Sequence, residues 1–268
     1  MSRSIGALVA MLAALLLAEG RAHAQATPPD HYLCYAAGAA PNKRLPPISK
    51  ERVELQDRYG GPQRFALRRL AMLCNPASLD GGGAHHANVH LTGLKTKTVK
   101  GAPKLVPFTQ GVRDPFATRT LALTAVSAVL DVSPAQPGTN APADFSDDPT
   151  RTGTEVNRFK CYAVGHPKGA PKFVPPPPPT VFDEVYPNGQ PFLIKKITKL
   201  CVPADVDGGT PGAEKRDALL VCYGVKLPKG VKFPRQMLGT RSRTVGVRIV
   251  GRRAPVELCV VGGVFPGS

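Results

Sequence analysis

The chain has 268 residues, 35 Lys and Arg against 19 Asp and Glu, and a formal net charge of +16. Aromatic residues make up 6% with no Trp, while Pro (29) and Gly (27) are abundant. That composition opposes long helices, implies small cores that something other than large aromatic burial helps to hold, and favours polyanionic partners: acidic polysaccharide, lipopolysaccharide phosphates, nucleic acid or an anionic membrane surface.

Residues 1–24 read as a secretory leader. Arg3 precedes an apolar run, "IGALVAMLAALLLA" (5–18), which is short for the ~20 residues of a bilayer span. Ala22-His23-Ala24 is a small-residue cleavage signal, so Gln25 is the expected mature N-terminus. No later stretch approaches ~20 apolar residues. The mature chain is therefore expected to be soluble and secreted, periplasmic or extracellular.

Two segments then repeat. "LCNPASLDGG" (73–82) returns as "LCVPADVDGG" (200–209). Without a gap, the same offset lays Cys34-Tyr35 on Cys161-Tyr162, Tyr59 on Tyr186, Gln63 on Gln190, Phe65 on Phe192 and Arg68-Arg69 on Lys195-Lys196. The chain is thus expected to hold two tandem β-domains, 30–132 and 158–264. Between them, 133–157 is rich in Pro, Ser, Thr, Gly and acid and reads as a linker.

Each copy divides again. "LLVCYGVKLPKG" (219–230) resembles "RFKCYAVGHPKG" (158–169), and "VELCVVGG" (256–263) resembles the close at 199–201. Each half-unit opens on a "CY"-type strand and closes on an "LC"-type strand. In the first copy the second half-unit starts near "NVHLTGLK" (88–95) and ends near "AVLDV" (128–132), with no Cys at either end. Loss of opener and closer together is what a bonded pair predicts, because a lone exported thiol is a liability. Six cysteines allow 15 pairings in principle; the repeat selects Cys34–Cys74, Cys161–Cys201 and Cys222–Cys259. No CxxC spacing points to zinc instead.

The fold class is all-β: disulfide-stapled antiparallel domains, sandwich- or barrel-like. Residues 52–74 and 180–201 each hold two β-rich runs around a turn, with Asn188-Gly189 as a hairpin signal and Gly60-Gly61 near the same place. The dibasic steps, Arg68-Arg69 and Lys195-Lys196, break strict alternation and predict a β-bulge that turns both charges to solvent. Residues 118–132 and 242–261 are the matching strands of the later half-units.

The recurring cysteines, the hairpin and the "DGG" exit resemble an uncharacterised repeat family of exported bacterial proteins, the domain of unknown function 7450. The resemblance covers most of the mature chain. It implies secretion and a β-rich repeat, without an assigned activity; the cysteine-free half-unit departs from its pattern.

No GxSxG, HExxH, P-loop or EF-hand signature is present, and no enzyme activity, cofactor or metal is expected. Asp80, His85, His86 and His90 are the weak metal candidates, in a segment that reads better as a glycine-rich turn. The basic clusters are the stronger candidates: Lys95, Lys97, Lys100 and Lys104, and Arg241, Arg243, Arg248, Arg252 and Arg253. Brought together on β-surfaces they form a polyanion-binding face. The expected function is a non-enzymatic exported protein that binds anionic polysaccharide or another envelope or matrix component. A structural or adhesive module for a protein partner is the alternative, and a metal enzyme at Asp80 to His90 the third reading.

Overall fold

The computed structural model describes residues 30–39, 48, 52–79, 81–133, 135–137, 158–209, 211–233, 236–242, 244 and 246–265. The leader at 1–24, Asp80, Arg243 and most of the expected linker (134 and 138–157) lie outside them.

The first half-unit supplies β1 (His31–Gly38), β2 (Arg52–Asp57) and β3 (Gly60–Ala77). The second supplies β4 (Leu91–Thr98), β5 (Phe108–Arg113), β6 (Thr118–Val132) and the short β7 (Ala135–Pro137). The third has β8 (Phe159–Gly165), β9 (Thr180–Val181), β10 (Gln190–Pro191) and β11 (Leu193–Val206). The fourth has β12 (Leu219–Lys226), β13 (Gln236–Ser242) and β14 (Gly246–Phe265). The protein is nearly all β, as its composition requires.

The strands of the two tandem copies join in one sheet. All but β9 and β10 belong to one 12-stranded sheet. Its inner path runs β1–β3–β4–β6–β8–β11–β12–β14 and returns to β1, antiparallel at every step. The path closes on itself as a ring of eight strands, two from each half-unit. The reason is edge chemistry. A single copy would leave the ladder groups of β6 and β1 unpaired beside buried apolar faces; the other copy supplies β8 and β14 to satisfy them.

A second set of pairings ties opposite half-units. β2 pairs with the tail of β11 (Leu55–Asp57 against Ala204–Val206), and β5 with the tail of β14 (Gly111–Arg113 against Gly263–Phe265). β13 pairs with β7, and Phe182 bridges Ser78 at the end of β3. Each half-unit's outer segment therefore meets the half-unit two places away.

The disulfides Cys34–Cys74, Cys161–Cys201 and Cys222–Cys259 join residues directly opposite each other on neighbouring strands, with Cα–Cα 3.9 Å in all three. All six cysteines fall in one buried cluster with Leu91 and Val132. Leu91 and Val132 are themselves register partners. The second half-unit thus fills with an apolar pair the place that a bond fills in the other three. The bulges arise where the dibasic steps put them, at Arg68 and Lys195, and all four basic side chains there are exposed. The first hairpin turns at Arg58-Tyr59, because Asp57 caps it by accepting the Tyr59 N–H (3.1 Å); Gly60-Gly61 instead begin β3.

Side chains alternate across a strand, so the residue after each opener cysteine points to the opposite face. There Tyr35 donates to Asp183 (2.6 Å), Tyr162 to Asp57, and Tyr223 to Asp114 (2.6 Å). Each aspartate also caps its own turn through a backbone N–H two residues on. Each clamp again spans half-units two places apart. At the fourth corner Thr92 stands in the tyrosine position and Ser242 in the aspartate position; Ser242 caps its turn at Thr244 (3.1 Å) and donates to Asp131 (2.5 Å).

Burial, reinforced at every position by a neighbouring aspartate, raises all six tyrosines above their usual 10, Tyr59 to about 12. Below pH 10 the phenols are neutral in both states and contribute no pH dependence. Above it the unfolded chain ionises first, so stability falls as pH rises. An alkaline titration followed by phenolate absorbance and circular dichroism should show phenolate appearing only in step with unfolding. Phenolate formed near pH 10 in folded protein would contradict these clamps.

Candidate functional site

β4 lies against β3 with Lys97 opposite Ala66 and Lys95 opposite Arg69. β2 lies on the other edge of β3, with Arg52 opposite Ala66. Strand alternation leaves Lys95 and Lys97 outward, and the bulge at Arg68 adds two more outward cations. After β4 the chain makes a turn in which Ala102 N–H donates to Val99 O (3.2 Å), with Gly101 at φ 84°. Gln63 then holds the loop to β3 by donating to Pro103 O (2.5 Å), and Leu105 packs on the core.

These elements enclose a groove of about 830 Å³. Arg52, Arg68, Lys97, Lys100 and Lys104 line it, with Thr96 and Thr98 between them and, among the described residues, no carboxylate. Among the described residues none of the five cations is ion-paired. Gathering like charges around one cleft costs self-repulsion, eased only at Arg52, which also lines the adjoining cleft with Glu54 and Asp207. The groove is therefore electropositive. Its lining has no aromatic side chain on which a base could stack.

Three of the first four basic candidates, Lys97, Lys100 and Lys104, meet in this groove; Lys95 stands beside it opposite Arg69. Arg52 and Arg68 were missed as site residues because only the β2–β3–β4 pairing brings them there. The second basic cluster does not form one exposed face. Arg252 is buried, binds Glu184 and Gln236, and lies 5.1 Å over the Tyr35 ring. Arg253 is exposed, and its Nε would lie 2.6 Å from a Cβ at Gly38. Arg241 and Arg248 are part-buried, and Arg243 lies outside the described residues.

The histidines are engaged separately. His85 and His86 give their backbone N–H groups to the Asp30 carboxylate (2.6 and 2.7 Å). His90 is buried, with Nε2 3.2 Å from Glu184. Burial pushes the Glu184 carboxyl up, but His90 and Arg252 outweigh it and hold it down at about 2. Beside it, burial raises Asp183 despite the hydrogen bonds from Tyr35 and Asn75. Among the described residues the one group with metal-binding spacing is Cys222, Glu257 and Cys259, and those cysteines are bonded to each other. His90 sits one residue before Leu91, as Lys160 does before Cys161. Both side chains are buried and lie against a carboxylate of another half-unit.

Comparison with family models, with curated proteins and with solved structures finds no match.

Proposed function

We propose that this is an exported, non-enzymatic binding protein that holds anionic envelope or matrix polymers in the groove between β3, β4 and the 99–104 loop. The observation that carries this reading is the set of five cations, none ion-paired among the described residues, around a cleft that no described carboxylate lines. Export is supported by the three disulfides, which persist in oxidising compartments, and by the leader-like 1–24.

The test is a titration with heparin oligosaccharides at two salt concentrations. Arg68→Gln, Lys97→Gln, Lys100→Gln and Lys104→Gln are combined. At about 0.5 kcal/mol per exposed ion pair, the four together should cost about 2 kcal/mol, roughly thirtyfold in affinity. The salt dependence should become shallower. The control neutralises exposed Lys195, Lys196, Lys215 and Lys226, which changes net charge equally. Equal losses in both proteins would reduce the groove to unspecific charge.

A further inference from the structure

We infer that the groove is one member of a set repeated round one end of the ring, and that the ligand is a long linear polyanion held by several half-units at once. This rests on the polyanion reading above and extends it. The loops after β4, β8 and β12 read "VKGAPK" (99–104), "PKGAPK" (167–172) and "PKGVK" (228–232). All three fold alike. Ala102 donates to Val99 (3.2 Å), Ala170 to Pro167 (3.1 Å) and Val231 to Pro228 (3.3 Å). The glycine is left-handed in each, at φ 84°, 80° and 90° for Gly101, Gly169 and Gly230. That is a type II turn, with glycine at its third position and lysine at its second.

Each loop offers two exposed lysines: Lys100 and Lys104, Lys168 and Lys172, Lys229 and Lys232. None is ion-paired among the described residues. An apolar residue follows the second lysine in every case, and all three, Leu105, Phe173 and Phe233, pack on the same core cluster. Topology puts the loops together. Neighbouring ring strands are antiparallel throughout, so the opening strands β1, β4, β8 and β12 run one way, and the loops that follow them leave from one end.

The seat repeats as well. The loop after β4 lies against the hairpin of the first half-unit and forms the groove. The loop after β8 lies against the hairpin of the second, around a cleft of about 370 Å³ that holds Arg119, His166 and Lys172. Arg119 stacks there on Phe173 at 5.4 Å. Like sites on one rigid end favour a ligand that repeats its charge along its length, because the second contact becomes intramolecular.

The test is calorimetric titration with a heparin tetrasaccharide and with a chain of about twenty sugars, at fixed salt. The tetrasaccharide should bind at more than one site per protein. The long chain should bind at a lower molar ratio and at least about a hundredfold tighter. Neutralising any one lysine pair to Gln (100/104, 168/172 or 229/232) should weaken long-chain binding by about tenfold and remove part of the tetrasaccharide stoichiometry. Circular dichroism checks that the variants fold. One tetrasaccharide site, lost only with Lys100 and Lys104, overturns the repeated set and leaves the groove reading intact. No binding of either length overturns both. Retention on phosphatidylglycerol vesicles without dependence on chain length overturns the polymer in favour of a lipid surface, which the exposed Val106 (79%) and Val174 (80%) beside these lysines would meet.

Discussion

Asp57→Ala should lower the unfolding free energy by about 3–5 kcal/mol, among the largest losses available from one side chain here. The Asp57 carboxylate lies 3.6 Å from Lys160 Nζ, with side chains 0% and 4% exposed. It also accepts the Tyr162 hydroxyl and the Tyr59 N–H. Removal strands a buried ammonium, an unsatisfied phenol and an uncapped turn together. Burial lowers the Lys160 pKa from 10.5, and Asp57 opposes that shift. Without Asp57 the folded-state value falls further. The folded chain then releases the proton before the unfolded chain does, so the variant should recover stability relative to wild type as pH rises towards 10.5. Urea unfolding at neutral and alkaline pH checks both parts. A loss under 1 kcal/mol with no convergence at high pH would mean that Lys160 is solvated.

Cys34→Ser with Cys74→Ser should cost about 4 kcal/mol, the chain-entropy value for a loop of about 40 residues. The whole protein should melt earlier in one transition, because β1 pairs on its other edge with β14 of the second copy. Cys34→Leu with Cys74→Val copies the Leu91–Val132 pair of the second half-unit. It should cost less than the serine pair, since it restores apolar packing but not the covalent loop. Scanning calorimetry separates the outcomes. Two transitions, with only the first displaced, would mean that the copies fold independently.

The sequence disclosed these bonds through an absence: the half-unit that lost one cysteine lost both. The same logic reaches further than the cysteines. Tyr35, Tyr162 and Tyr223 each follow an opener cysteine, and Asp183, Asp57 and Asp114 each precede a turn. The second half-unit has Thr92 where a tyrosine would stand, and the half-unit opposite it has Ser242 where an aspartate would stand. That paired loss was present in the residues, but its partners lie 148, 105 and 109 positions apart in the three intact clamps. Only strand pairing shows which half-units meet. Periodicity assigns a residue to a face and says nothing of which edge joins which. For this reason the strand at Thr118–Val132 and the bulge at Arg68 were legible, whereas the closure of β6 on β8 was not. The groove divides the same way. Lys97, Lys100 and Lys104 were visible as a local cluster, while Arg52 and Arg68 join it through the sheet. Arg252 shows the converse: a basic residue in a basic stretch, buried against Glu184.

Ring closure is the claim on which the opposed clamps and the repeated lysine turns both depend, and one cut tests it. All three disulfides lie within a copy, so nothing covalent would join the copies once the chain between them is opened. A specific protease site is placed within 138–157, the protein is cleaved, and size exclusion is run with and without denaturant. The ring predicts that both fragments co-elute at the mass of the intact protein and part only in denaturant. Two folded fragments that elute separately in native buffer would contradict it.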